Sequence, residues 1–83
     1  MVIKYFSWIK EHVGKSEEQI ELPDHINDVN ELIYYLNEID KKYSIIFEKK
    51  ELIKIAVNKT YSSFDDKISN SDEIAFFPPV TGG

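Results

Sequence analysis

The sequence predicts an α+β roll, in which a mixed sheet is crossed by one main helix and followed by an extended C-terminal tail. Three observations predict this fold class: apolar residues alternate near both ends of the chain, recur at helical spacing near its middle, and flank a hairpin signal in its second half. The chain has 83 residues, 42% of them hydrophobic, with a net charge of −5. These values indicate one small globular domain.

The chain opens with a predicted strand and a short helix. Residues 2–6 alternate in the manner of a strand. Ser7 is expected to cap a helix that runs to His12, and Gly14 supplies the left-handed conformation that commonly ends a helix. This helix is expected to turn three apolar side chains inward: Trp8, Ile9 and Val13.

A second strand and the main helix follow. Residues 19–22 alternate again and are expected to pair antiparallel with the first strand, until Pro23 ends the ladder. Asp28 and Glu31 form a capping-box-like start, because an Asp carboxylate accepts hydrogen bonds from the free amides of a first helical turn. The apolar residues that recur at helical spacing predict one buried stripe: Val29, Leu32, Ile33, Leu36 and Ile39.

The segment after the main helix is less regular. Residues 44–47 are apolar without a clear period, and the charged residues 48–51 are interpreted as a solvated loop. Residues 52–57 are rich in β-branched side chains, which predicts a third strand.

A hairpin and a final strand complete the predicted sheet. The Asn58-Lys59 pair favours a tight turn into a short strand that starts at Thr60. Polar turns then lead to a last strand over residues 73–77, which Pro78 ends. The apolar strands at the two chain ends are expected to lie parallel and adjacent at the centre, which is the order of the β-grasp fold.

Composition excludes several functions. Every basic residue is Lys and the net charge is negative, so we do not expect nucleic-acid binding. No uncharged apolar run approaches the ~20 residues that a membrane helix needs, and no secretory leader is visible, so the expected location is the cytoplasm. The chain has no Cys, and its two His residues show no metal-ligand spacing. Neither a catalytic set nor a phosphate-binding Gly-rich loop is present, so the chain is not expected to be an enzyme by itself.

The most informative segment is the tail, residues 78–83, which follows a domain of residues 1–77. Pro78 and Pro79 cannot continue a ladder and hold the backbone extended, so they direct the tail away from the domain. Gly82 and Gly83 have no side chains and fit a narrow channel. Two terminal glycines are also typical of an ordinary frayed chain end.

A terminal carboxylate on such a tail suggests acyl chemistry. Activation by ATP would convert the Gly83 carboxylate into an acyl-adenylate, which a nucleophile can attack. Attack by a sulfur nucleophile gives a thiocarboxylate, whereas attack by an amine gives an amide. Because the chain has no thiol, any sulfur that it carried would be held on the terminal acyl group.

The sequence resembles the small, sulfur-carrier subunits of molybdopterin synthase. The resemblance lies in Ala56-Val57-Asn58-Lys59-Thr60, in Phe64-Asp65, and in the run Asp72-Glu73-Ile74-Ala75-Phe76-Phe77-Pro78-Pro79-Val80-Thr81-Gly82-Gly83. It continues near the start in Tyr5-Phe6, Ile9-Lys10-Glu11 and Gly14, whereas residues 39–52 contribute little. Lys10 stands where the family often has Arg, and Ser71 stands where it usually has Gly, so we expect Asn70 or Ser71 to adopt strained turn geometry.

The resemblance implies a ubiquitin-like β-grasp protein whose Gly83 is adenylated and thiolated by an E1-like enzyme. That enzyme, and not this chain, would bind the ATP, and no metal or cofactor would be bound here. The tail would then enter the large catalytic synthase subunit, with two carriers flanking its dimer as a heterotetramer. There it would donate sulfur to the dithiolene of molybdopterin, which is formed from cyclic pyranopterin monophosphate.

The partner-binding residues are expected around the tail: Phe6, Phe77, Pro78, Pro79, Val80 and Thr81. Alternation leaves two positions open for Phe77, either exposed beside the tail or filling a minor core under the first helix. Three other functions also stay open: a thiamine-pathway sulfur carrier, a ubiquitin-like protein modifier, and a non-covalent binding module.

Overall fold

A computed structural model describes residues 1–79 of the chain. Five strands are present in that part: β1 Val2–Tyr5, β2 Glu17–Gln19, β3 Lys54–Val57, β4 Thr60–Ser62 and β5 Glu73–Phe77. Three α-helices accompany them: α1 Ser7–Val13, α2 Val29–Ile39 and α3 Ser44–Glu48. Two short 3-10 helices, Lys41–Tyr43 and Lys50–Leu52, flank α3.

The strands form one mixed sheet in the order β2-β1-β5-β3-β4. The two strands nearest the chain ends are central and parallel, with Ile3 opposite Ile74 and Tyr5 opposite Phe76. The remaining pairs are antiparallel. This arrangement confirms the predicted β-grasp order, because a parallel pair requires the long crossover that the intervening elements supply.

The core lies between the sheet and α2. Its members are the inward residues of the strands, the helices and the connecting segments, and no charged side chain among residues 1–79 is fully buried with them. The largest side chains of this core that are almost inaccessible to solvent are Tyr5, Phe76, Ile3, Ile9, Leu32, Ile33, Leu36, Ile46, Ile55 and Ile74. Burial of this apolar surface is the main stabilising contribution to a domain of this size.

Helix α2 begins as predicted. The Asp28 side chain accepts a hydrogen bond from the Glu31 backbone amide at 2.8 Å, and the Glu31 carboxylate accepts one from the Asn27 amide. The first bond satisfies a donor that the first helical turn leaves free, and the second ties the residue before the cap to that turn. The predicted apolar stripe is buried except at its end, where Ile39 is 57% exposed. Ile39 is the last helical residue, and the chain turns there before the core can cover it.

The junction between β1 and α1 differs from the prediction. Phe6, not Ser7, is the residue before the helix, and it makes no side-chain cap. Instead the Phe6 carbonyl accepts from the amides of Ile9 and Lys10, and Ser7 adopts a φ of 56°. This sharp turn follows because the Phe6 amide still donates to Phe76 in the sheet. Gly14 ends α1 with a φ of 89°, as predicted.

Two predicted boundaries shift along the chain. Strand β2 occupies Glu17–Gln19 and not residues 19–22, because β1 supplies ladder partners only as far as Val2 opposite Gln19. Strand β3 begins at Lys54, two residues after the predicted start. Of the two positions before it, Leu52 ends the 3-10 helix and Ile53 is a buried residue with extended backbone.

The segment predicted as an apolar run and a solvated loop is helical. Helix α3 contributes the buried residue Ile46 to the core. The two 3-10 helices connect α3 to α2 and to β3. Each of these elements is only three to five residues long, so too few turns are present to produce a recognisable period.

The hairpin and the turn before β5 are fixed by polar contacts. Asn58 and Lys59 have φ values of 52° and 69°, as a tight hairpin requires. The Asn58 side chain donates to Asp72 at 2.9 Å and accepts from the Glu73 amide at 3.0 Å, which ties the hairpin to β5. The expectation of strain at Asn70 or Ser71 is wrong, because neither has a positive φ. Asp72 instead closes that turn by accepting from the Ser69 amide.

Within residues 1–79, no helix is both long enough and apolar enough to cross a membrane.

Candidate functional site

The candidate site lies where β5 leaves the sheet. Phe77 is the last residue of the strand, and Phe77, Pro78 and Pro79 are all partly exposed. Proline cannot donate a ladder hydrogen bond, so the sheet ends here. The predicted site residues Val80, Thr81, Gly82 and Gly83 lie outside the described residues.

One face of the sheet is uncovered around this exit, and we call it the open sheet face. Its residues follow from the strand register, in which directly paired residues share a face. The open sheet face consists of Val2, Lys4, Glu17, Gln19, Lys54, Ala56, Tyr61, Glu73, Ala75 and Phe77. Helix α2 covers the opposite face, which carries the buried residues Ile74 and Phe76.

Phe77 lies on the open sheet face and not under α1. Its ring packs against the ring of Tyr61 on the neighbouring hairpin, with the centroids 5.7 Å apart. Tyr61 is 74% exposed and Phe6, beside the same sheet end, is 46% exposed. The alternative in which Phe77 fills a minor core is therefore wrong. Three aromatic side chains are thus accessible near the departing tail, in a pattern typical of interface anchors.

Tyr61 is a site residue that the sequence analysis missed as a binding candidate. It lies 16 positions before Phe77 in the chain, and only the register of β3 with both β4 and β5 brings the two together. The signal was present in the hairpin prediction, because alternation through the turn assigns Tyr61 to the same face as Ala56.

A shallow cleft of about 400 Å³ extends along this part of the face. It is lined by Lys54, Ile55, Tyr61, Ser62, Phe77 and Pro79. The lining is mainly apolar and includes a single basic side chain, Lys54. It therefore suits an apolar side chain of a protein partner better than a phosphate. An ion pair between Lys4 and Glu73, 3.5 Å apart, lies farther along the same face.

A polar cluster centred on Glu18, which we call the Glu18 cluster, links several elements of the domain on the core side of the sheet. The Tyr5 and Tyr43 hydroxyls each donate to Oε2 of Glu18 at 2.6 Å, and Lys15 pairs with Oε1 at 3.3 Å. The Tyr5 ring in turn stacks on Phe76, the neighbour of Phe77, with centroids 6.1 Å apart. The cluster therefore connects the edge strand β2, the central strands β1 and β5, and the 3-10 helix that follows α2.

The pKa values of this cluster move in opposite directions. Burial raises the pKa of Glu18, but the hydrogen bonds from Tyr43 and Tyr5 and the Lys15 contact lower it, and the net pKa lies below the usual value. Burial and the adjacent Glu18 carboxylate raise the pKa of both Tyr5 and Tyr43. At neutral pH the cluster is thus one carboxylate held by two neutral phenols.

Residues 1–79 include no group of His, Asp and Glu side chains able to hold a metal ion. His12 and His25 are both exposed, as expected from their isolated positions in the sequence.

The family is decided by comparison with known proteins. The model of the ThiS family matches residues 3–83 of this chain. The chain belongs to the ThiS family. The match includes both central strands and the tail, so it covers the fold and the candidate site together.

Individual relatives of this ThiS-family chain support the assignment. It is 33% identical over 81 residues to a molybdopterin synthase sulfur carrier subunit from Haemophilus influenzae, with 98% of this chain and 96% of that protein covered. It is 40% identical over 83 residues to a protein of the same name from Dictyostelium discoideum, with 98% and 93% covered.

Solved structures agree on the fold of this family member. A Pyrococcus furiosus protein assigned as molybdopterin converting factor subunit 1 superposes with a TM-score of 0.74 at 31% identity, with 95% of each chain covered. A chain from the complex of subunits 1 and 2 of the molybdopterin-converting factor of Helicobacter pylori 26695 gives a TM-score of 0.61 at 23% identity, with 99% and 96% covered. The second likeness shows the β-grasp fold alone.

Proposed function

We propose that this protein is the sulfur-carrier subunit of a molybdopterin synthase, with Gly83 carrying the sulfur as a thiocarboxylate. The observation that carries the proposal is the set of relatives with that name, matched over nearly their full lengths at 33–40% identity. The family match also extends through residue 83. In this proposal the chain supplies the sulfur and the large subunit supplies the catalysis.

The chemistry resides at the tail. The Gly83 carboxylate attacks the α-phosphate of ATP, which gives an acyl-adenylate and releases pyrophosphate. Sulfide then attacks the acyl carbon, AMP leaves, and a thiocarboxylate remains, so the two steps balance in atoms and charge. ATP and the activating groups belong to an E1-like partner, because the described residues present no site built for phosphates. The chain itself supplies the terminal acyl group, carried on a tail whose glycines have no side chains.

The open sheet face is proposed as the docking surface for the large subunit. Tyr61 and Phe6 are exposed and Phe77 is partly exposed, and all three serve as aromatic anchors near the sheet end from which the tail departs. Pro78 and Pro79 restrict the backbone there, which reduces the entropy lost when the tail is bound. Val80 and Thr81 are proposed to line the entry to the partner's site, together with Gly82.

The proposed assembly is a heterotetramer in the cytoplasm, with two carriers flanking a dimer of large subunits. The β-grasp fold occurs in the two-subunit Helicobacter pylori complex, where such a chain assembles with a second subunit. The sulfur acceptor is proposed to be cyclic pyranopterin monophosphate, which becomes the dithiolene of molybdopterin.

A tail-length series tests the proposal. Deleting Gly83, or adding one residue after it, is expected to abolish sulfur transfer to the pterin in a reconstituted synthase. Circular dichroism of both variants should match the parent, because neither variant changes a core residue of the described part of the chain. Ser71→Gly, in the turn before β5, is the matched control and should keep full transfer. Normal transfer by either tail variant would refute Gly83 as the reactive position.

Further assays of the parent and of a variant without Gly82 and Gly83 separate the rival functions. A thiamine-pathway carrier would form the thiocarboxylate but would not convert the pterin. A protein modifier would form lysine-linked adducts with extract proteins, and a non-covalent module would keep its function after removal of Gly82 and Gly83.

A further inference from the structure

A second surface lies on the helical side of the domain, away from the open sheet face. It is a groove of about 300 Å³ along α2. Its lining residues are His25, Ile26, Glu31, Tyr34, Tyr35 and Glu38. We call it the α2 groove, and the candidate site uses none of these side chains.

The α2 groove is built from one continuous stripe of the helix. Glu31, Tyr34, Tyr35 and Glu38 are spaced i, i+3, i+4 and i+7, which places them on one face. Tyr34 is 59% exposed, whereas Tyr35 is partly buried and packs against the core. The two carboxylates therefore lie at the ends of the stripe, with two aromatic rings between them.

The chemistry of the α2 groove favours a cation. No lysine lines it, and neither Glu31 nor Glu38 is in either of the two ion pairs found among residues 1–79. Glu31 accepts from the Asn27 amide through Oε1, and both Glu31 and Glu38 are exposed residues. Aromatic faces attract cations, and carboxylates at both ends of the stripe add charge complementarity in a protein whose net charge is −5.

We propose that the α2 groove docks an arginine-bearing segment of a partner protein. A guanidinium is planar, stacks on an aromatic ring and pairs with a carboxylate through two hydrogen bonds, whereas a lysine ammonium is a more strongly hydrated point charge. The chain contains no arginine, so the occupant comes from another protein. Because α2 lies on the opposite side of the sheet, this contact leaves the open sheet face free for a second partner.

The spacing of the carboxylates suggests the form of the segment. Seven helical positions separate Glu31 from Glu38, which is about 10 Å along the axis at ~1.5 Å per residue. Residues three apart in a polyproline II helix are about 9 Å apart at ~3.1 Å per residue, and they lie on the same side because that helix has three residues per turn. An Arg-x-x-Arg segment in this conformation thus places one arginine near each carboxylate.

The test is an NMR titration of the full chain with the blocked peptide acetyl-Gly-Arg-Gly-Gly-Arg-Gly-amide at low salt. Shifts are expected at the amides of residues 25–26 and 31–38. Tyr34→Ala and Glu38→Gln should each weaken binding by about two- to fivefold. The matched control is Glu17→Gln, which removes the same charge from the open sheet face and should leave binding within about 1.5-fold. The lysine version of the peptide should bind more weakly.

Three results of the titration would overturn the proposal. They are shifts centred on the open sheet face, equal weakening by Glu17→Gln and Glu38→Gln, or no saturable shifts with the arginine peptide. A self-association in sedimentation experiments that Tyr34→Ala removes would also overturn it, because the groove would then hold a second copy. Failure of the tail-length series would not affect this test, since the groove residues that carry it lie between His25 and Glu38.

Discussion

Replacing Glu18 by Gln should destabilise the domain by a predictable amount. The Glu18 side chain is 14% exposed, and its Oε2 accepts from Tyr5 and Tyr43 at 2.6 Å. A hydrogen bond to a charged group contributes ~1.5–3 kcal/mol, and a neutral one contributes ~1 kcal/mol. Removing the charge from both bonds should therefore lower the free energy of unfolding by about 1–4 kcal/mol. Because Glu18 is partly accessible to solvent, we expect a value of about 1–2 kcal/mol.

The assay is urea unfolding of the parent and of Glu18→Gln at a series of pH values. Because the folded pKa of Glu18 is lowered, its contribution is fully present above the ordinary Glu pKa of about 4.3 and is lost as the pH falls through the folded value. The difference between the two proteins should thus be largest near pH 7 and shrink toward pH 3. The raised pKa values of Tyr5 and Tyr43 also predict a loss of parent stability above about pH 10.

A double-mutant cycle isolates the hydrogen bond from Tyr43. Glu18→Gln and Tyr43→Phe should together cost less than the sum of their single effects, since Tyr43→Phe removes the bond that Glu18→Gln weakens. Additive effects, or a Glu18→Gln difference that stays constant from pH 7 to pH 3, would refute the reasoning.

Three further predictions concern the surface and the helix ends. Phe77→Ala and Tyr61→Ala should each weaken binding to the large subunit by about tenfold in calorimetry, whereas Phe47→Ala, at an exposed position on α3, should not. Asp28→Ala should cost about 1 kcal/mol by removing the α2 cap, and Asp28→Asn should restore most of it in thermal unfolding. Gly14→Ala should cost about 1 kcal/mol in urea unfolding, because its φ is 89° although space for a Cβ is open; no measurable cost would contradict this reading.

The sequence predicted the centre of the fold well because the evidence for it is local and repeated. Alternation over β1 and β5 identifies two apolar strands, and the hairpin between β3 and β4 follows from Asn58 and Lys59, whose positive φ values match the residue types. The Asp28 cap is equally local, because donor and acceptor lie three residues apart. Each of these features is decided by neighbours in the chain.

The features that sequence reasoning missed depend on distant partners. Glu18 lies in a polar stretch, and its two phenol donors are 13 and 25 residues away. The contact of Tyr61 with Phe77 arises only from the sheet register. Ile39 was also predicted wrongly as a buried residue. The helical spacing of apolar residues includes it, but it is the last residue of α2, where the chain turns away from the core.

The chemical consequence of this architecture is a division of tasks. The Glu18 cluster and the stacked pair of Tyr5 and Phe76 link the central strands on the core side, while Tyr61 and Phe77 pack together on the open sheet face. We expect binding specificity to reside mainly in the sheet face and reactivity in Gly83.

The most direct test of the central claim is the mass of the protein after incubation with its activating enzyme, ATP and a sulfur source. The proposal predicts a gain of about 16 Da, the replacement of one oxygen by sulfur, and fragmentation should place the whole gain on Gly83. A protein whose mass does not change, or whose added mass lies on any residue other than Gly83, would contradict the account.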